Sequence, residues 1–383
     1  MAAAIERVLT QRELNRALLE RQFLLTRKPA SLPRALERIG GIQAQYAPSM
    51  YIGLWSRLEG LERDRLTRAL ERRTVVQGTL LRSTIHLVSR RDYWPFAIAI
   101  RRARREWWLR VHSEGSREIV AAAARMRRLL ADGPRSRAEL IESMGASLFN
   151  GVGLWLDLVR VPPSGTWERR RADIFTTAEG WLGPGTGIEE DEGIDLLVTR
   201  YLGGFGPARP MDIAGWSGLP VKAISAALER RELRRFHDEE GRLLVDLPRA
   251  SLPHPDAPAP VRFLPTWDAT LLTHARRTGI LPEVYRSLVF STKNPQSVGT
   301  FLVDGAVAGS WRHEHGRIRL SPFGRVARAA RRELAEEAER LTAFHAKTPA
   351  RRRTRVQGVG KRSASARHTG IVSRSCNPVA GGK

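Results

Sequence analysis

Residues 190–248 constrain the fold more than any other stretch, because they read as one complete supersecondary unit. A helix is expected at 190–203 and, after GPARP, a second at 211–217. Gly218-Leu219-Pro220 makes a turn, 221–231 a third helix, and ELRRFHDEEGRLLVDLP two strands about Gly241. Helices followed by a β-hairpin are the pattern of a winged helix-turn-helix. The order recurs upstream. Thr10 and Glu13 form a capping box for a helix over 10–25, a short helix over 33–39 stops at Gly40-Gly41, and further helices are expected at 49–59 and 63–73. Residues 75–89 alternate as a strand pair. A middle copy has helices at 116–130 and 136–144, LWLDLVR (154–160) as a third helix, and VPPSGTWERRRADIFTTAEGWLG as turn and wing.

The expected fold class is therefore α+β, mainly helical: three tandem winged helix-turn-helix modules over 1–110, 111–185 and 186–250, then a small C-terminal β-domain. SLPHPDAPAP (251–260) holds four prolines and reads as a linker. Beyond it VRFLP, SLVFS, GTFLVDG, VAGSWR and RIRLS are expected strands, and a helix over about 325–345 closes a domain spanning 261–346. Residues 347–383 carry ten Lys or Arg and no acid, and are expected to be a disordered basic tail.

The chain has 64 Lys and Arg against 40 Asp and Glu, a formal charge of +24. The tail holds ten of these, so 14 belong to residues 1–346. A surplus of this sign points to a polyanion, nucleic acid first; the alternative is a cationic surface, of the kind GC-rich codon usage favours, with no specific partner. The single cysteine, Cys376, excludes an intramolecular disulfide and a cysteine zinc site. No run approaches 18 apolar residues, and the N-terminus lacks the pattern of a secretory signal. A cytoplasmic, nucleoid-associated monomer is expected, with no membrane association, metal or nucleotide cofactor.

Gln43 and Gln45 flank Ala44 in GIQAQYAPSM. On a helix, positions two apart point different ways; on extended backbone they share a face. Either they are a loop pair bonding local backbone, or two amides aimed at one spot. GIQAQYAPSMYIGLWSRLEG, LLRSTIHLVSRRDYW, RFLPTWDATLLTHARRTGILPEVYR and TFLVDGAVAGSWR together resemble the AlkZ-type winged-helix DNA glycosylases, over roughly residues 8–345. The resemblance includes that family's Gln-x-Gln motif, here Gln43-Ala44-Gln45; a related branch has Asp at the second position. It implies excision of alkylated bases from double-stranded DNA, with unhooking of interstrand crosslinks in some members, and Gln43 and Gln45 as catalytic residues. Alkylation at N7 of guanine or N3 of adenine already makes the base a good leaving group, so amides that position a water can suffice. A bifunctional glycosylase needs an amine for a Schiff base, and the first 220 residues offer only Lys28; a monofunctional enzyme without lyase activity is expected. The alternatives are a non-catalytic winged-helix regulator, and an enzyme dedicated to self-resistance against one genotoxin.

The expected DNA-contacting residues are Arg82, His86, Arg276, Arg277 and Asn294. Arg82, Thr84 and His86 alternate along RSTIHL, so either that hairpin faces DNA or His86 is a structural histidine at a strand end. Arg276 and Arg277, after His274, are expected on phosphates; Asn294 marks a hairpin that would probe the lesion. Trp107-Trp108 read as helix packing in preference to a wedge, and His313-Glu314-His315 as a solvated turn. No Gly-rich phosphate loop, HExxH or nucleophile elbow is present, so NTP hydrolysis, zinc proteolysis and acyl transfer lack support.

Overall fold

The computed structural model describes residues 4–112, 115–272, 275–291 and 296–346. The fold is α+β, with about half of the residues helical. The helix boundaries follow local chemistry. Thr10 and Glu13 do form a capping box for Gln11–Arg21, and Gly40, in the left-handed region, ends Leu32–Ile39. Ser136 and Glu139 form a second box for Arg137–Met144. In the clearest repeat, helices Glu190–Phe205, Pro210–Ser217 and Val221–Glu229 precede strands Arg234–Asp238 and Leu243–Asp246, which turn at Gly241.

Two sequence expectations are corrected here. LWLDLVR is not a helix: Ala146–Trp155 ends inside it, and Leu158–Arg160 is a strand between Val75–Thr79 and Ile174–Thr177. SLVFS is one helical turn, Arg286–Val289, followed by the two-residue strand Phe290–Ser291. Residues 90–111, to which the sequence pattern assigns no element, form a 22-residue helix. Pro95 is the sixth residue of this helix and lacks the N–H that would bond the Arg91 carbonyl, yet the helix runs through it.

Strands from the first two helical groups hydrogen-bond into a single six-stranded sheet. Its order is Ile42–Gln43, Ile85–Ser89, Val75–Thr79, Leu158–Arg160, Ile174–Thr177, Arg135–Ser136. The third hairpin is extended at its edge by Val8–Leu9, which runs parallel to Arg234–Asp238. Helix Arg90–Val111 packs along Glu190–Phe205, and Phe96, Tyr201, Phe205 and Trp216 fill the core between them.

Beyond the prolines, Arg262–Leu264, Gly299–Val303, Ala306–Glu314 and Arg317–Pro322 form an antiparallel sheet closed by helix Arg328–Ala346. Helix Ala47–Arg57 is buried along its whole length. Ser56 Oγ donates to the Phe263 carbonyl, and the Arg57 guanidinium meets both oxygens of Asp268 at 2.9 Å. The proline stretch 251–260 is irregular but strapped down, its Pro255 and Ala257 carbonyls accepting from Arg12 and Arg16. The basic tail lies outside the described residues.

Candidate active site

The glutamine pair is positioned by what precedes and follows it. Gly40 and Gly41 both have φ +79°, and a Cβ on Gly41 would stand 3.0 Å from Val88 Cγ1 and 3.1 Å from the Leu87 carbonyl oxygen. Only glycine lets the chain turn and lie this close to its neighbour. Ile42 then pairs with Leu87 and Gln43 with His86, and the Ala44 N–H continues the ladder to the Ile85 carbonyl at 2.7 Å. The backbone is thus extended from Ile42 through Ala44, with Ala44 fully buried. Tyr46 and Pro48 start helix Ala47–Arg57 immediately after.

Both amides are tied to the same hairpin, Val75–Thr79 with Ile85–Ser89. Gln43, buried, accepts at Oε1 from Arg82 Nη2 at 3.4 Å. Gln45, exposed, accepts at Oε1 from the Ile85 N–H at 3.2 Å. Arginine and a backbone N–H are donors only, so they fix each carboxamide with its oxygen inward. One lone pair on each oxygen remains.

Arg82 sits at the hairpin tip, where Arg82 and Ser83 have φ +51° and +58°. Its Nη1 donates to the Trp216 carbonyl. It pairs with no carboxylate among the described residues, and burial holds its pKa below the usual arginine value. His86 is 3% exposed. Burial, reinforced by the Arg82 charge, brings its pKa down to about 3, so the imidazole is neutral. Its Nδ1 lies 3.2 Å from the Thr84 carbonyl oxygen and must donate to it. The expected DNA contact at His86 is therefore corrected: a buried neutral ring offers a phosphate no charge.

A cleft of about 550 Å³ opens at Gln45, lined also by Tyr46, Ile85, Arg137, Arg170, Arg171 and Asp173. None of its three arginines pairs with a carboxylate among the described residues. Asp173 itself is taken by Ser164 Oγ at 3.0 Å and by Arg169 at 3.6 Å. Arg170 also reaches Tyr46 Oη at 3.2 Å. Across these two residues lies a second cleft, about 400 Å³, lined by Pro48, Ile52, Pro265, Val298, Trp311, His313 and His345. Sequence reasoning missed Tyr46, Arg137, Arg170 and Arg171. The run Arg169-Arg170-Arg171, within the segment expected to be turn and wing, was the available signal.

The other candidates are scattered. Arg276 is exposed and pairs with Glu283 at 3.0 Å, while its carbonyl accepts from Gln11 Nε2 at 3.3 Å. Arg277 is buried and pairs with Asp212 at 2.8 Å, with a further bond to the Phe205 carbonyl; its expected phosphate contact is corrected to a structural ion pair, because a guanidinium so enclosed is unavailable to DNA. Asn294 and His274 lie outside the described residues. Trp108 packs in a core and stacks on His112 at 3.4 Å, while Trp107 is exposed. Glu314, His315 and Gly316 make a surface turn, but His313 stacks at 4.1 Å on His345 of the closing helix. No three His, Cys, Asp or Glu among the described residues cluster as a metal site, and no described helix is long and apolar enough to cross a membrane.

Two oriented amides, bordered by arginines that pair with no carboxylate among the described residues, are compatible with several reactions on nucleic acid. The family comparison decides among them: the model of the AlkZ-like DNA glycosylases matches residues 36–344. The chain belongs to the AlkZ-like DNA glycosylase family. Its fold is also that of a solved member, Streptomyces sahachiroi DNA glycosylase AlkZ, with a TM-score of 0.73 at 20% sequence identity, covering 88% of this chain and 97% of that one. No curated protein matches the chain. Membership of this family makes DNA the substrate and glycosylase the activity class. The matched span takes in the Gln43–Gln45 strand, the Arg82 hairpin and the lining of both clefts apart from His345.

Proposed function

We propose that this glycosylase hydrolyses the N-glycosidic bond of cationic alkylated purines, N7-alkylguanine and N3-alkyladenine, and leaves an abasic site. The observation that carries the reading is the pair of carboxamides, each locked oxygen-inward by a donor on one hairpin, with no free carboxylate beside them. A water has two protons to donate. The remaining lone pairs of Gln43 Oε1 and Gln45 Oε1 accept them, which leaves a water lone pair for the anomeric carbon. The C–N bond breaks with its electron pair going to the cationic base, which departs neutral. The new C–O bond forms, and the surplus proton passes to solvent because an amide does not hold it. Such a site supplies position, not acid catalysis, so it requires a leaving group activated beforehand.

Arg137, Arg170 and Arg171 are the phosphate contacts of this reading, beside Gln45. The three helix–hairpin groups act as winged helices along the duplex, in a monomer. Clefts of about 550 and 400 Å³ that meet at Tyr46 leave room for lesions too large for a closed base pocket, crosslinks included. Among the described residues no lysine lines either cleft, and Lys28 pairs with Glu20 at 3.3 Å, which supports a monofunctional reaction.

Duplexes carrying N7-methylguanine, a crosslink through guanine N7, or uracil test the proposal. Excision of the first two, no release of uracil, and no adduct trapped by borohydride are expected. Release of uracil at a comparable rate would contradict it, and so would a trapped Schiff base.

A further inference from the structure

Arg82 combines three properties. Its backbone is left-handed although it is not glycine, a strain that persists where surrounding structure enforces it, often at functional sites. Its guanidinium is half-buried without a carboxylate among the described residues. And its two terminal nitrogens are divided between a backbone carbonyl and a side-chain amide. Nη1 is anchored on the Trp216 carbonyl, near the end of helix Pro210–Ser217, where the exposed carbonyls favour a cation. Nη2 faces Gln43 Oε1. The approach is close on the backbone side too: a Cβ on Gly218, the cap of that helix, would lie 3.4 Å from the Arg82 amide nitrogen.

Resting on the proposed amide mechanism, we propose that Arg82 is a positioning residue that acts through Gln43, holding its carboxamide in the one orientation that presents an oxygen lone pair to the water. An amide side chain has two nearly isosteric orientations. A guanidinium has no acceptor, so it tolerates only the one with Oε1 toward it. Without Arg82, Gln43 is free to flip and offer Nε2, which repels the water proton it should accept. The 3.4 Å separation is long for a hydrogen bond, as catalytic contacts often are before substrate binds. The role differs from a phosphate contact, which would act on DNA affinity.

The backbone conformation supplies a clean test. Glycine favours φ +51°, so Arg82→Gly removes the guanidinium without straining the turn, and Ser83→Gly relaxes the neighbouring φ while keeping it. Single-turnover excision of N7-methylguanine and duplex affinity would be measured for the full chain, Arg82→Gly, Ser83→Gly, Gln43→Ala and Arg82→Gly/Gln43→Ala. The expected result is a rate about 10- to 100-fold lower in Arg82→Gly with affinity within about twofold. Ser83→Gly should match wild type, and Gln43→Ala should lose nothing more when Arg82 is also removed. A wild-type rate in Arg82→Gly, rate losses that multiply in the double variant, or a loss confined to affinity would each overturn the inference. Were Gln43→Ala as active as wild type, the amide mechanism itself would fail, a result distinct from failure of Arg82 alone.

Discussion

His86 shows how one residue's surroundings can oppose its apparent chemistry. In RSTIHL it reads either as a DNA contact or as a structural histidine; in the fold its ring is enclosed, uncharged and bonded to Thr84. Its pKa is lowered from 6.5 to about 3, and burial does the same to His345. Between those values the unfolded chain binds protons that the folded chain refuses, so stability falls as pH drops below about 6.5. It is unaffected by these groups above pH 7. Each histidine contributes a slope of up to about 1.4 kcal/mol per pH unit. Urea unfolding between pH 7 and 5, where carboxylates with lowered pKa are still ionised, should show this loss, and His86→Gln should remove about one proton's share. Stability constant over that range would contradict the buried neutral ring.

At the scale of elements, much was legible because local chemistry sets it. The Thr10–Glu13 and Gly40–Gly41 signals stop and start helices whatever lies around them, and the alternation in 75–89 needs only one buried face. Elements decided by distant partners were not legible. LWLDLVR has a helical spacing of apolar residues, yet Leu158–Arg160 joins a sheet edge supplied by Val75–Thr79, some eighty residues earlier. Arg277 likewise carries no local sign that Asp212 awaits it. That pair ties the short helix Ala275–Thr278 to helix Pro210–Ser217. Removing Arg277 leaves a buried carboxylate with only Arg209 for compensation. Arg277→Ala should therefore lose about 3 kcal/mol of stability, read by chemical denaturation, while DNA affinity of the remaining folded protein is kept. Weakened binding at unchanged stability would restore the phosphate contact that the sequence suggested.

For the whole molecule, charge and motif were legible and their meeting place was not. Composition pointed to a polyanion, and Gln43 and Gln45 carried the family resemblance. That Arg137, from a helix start, and Arg170 and Arg171, from a loop, border the same cleft as Gln45 depends on the shared six-stranded sheet. If these arginines neutralise phosphates, duplex binding should weaken steeply with salt, with a log–log slope near −0.9 per phosphate. Replacing all three by glutamine should flatten that slope by about 2.7. An unchanged slope would place the DNA elsewhere.

The central claim is that two amides perform the chemistry, and single-turnover excision of N7-methylguanine from a duplex tests it most directly, wild type beside Gln43→Ala/Gln45→Ala, with binding of the same duplex measured in parallel. The account predicts rapid release of the base by wild type, and release by the double variant near the spontaneous rate at unchanged affinity. Equal excision by both proteins would contradict it and return Gln43 and Gln45 to the role of a loop pair.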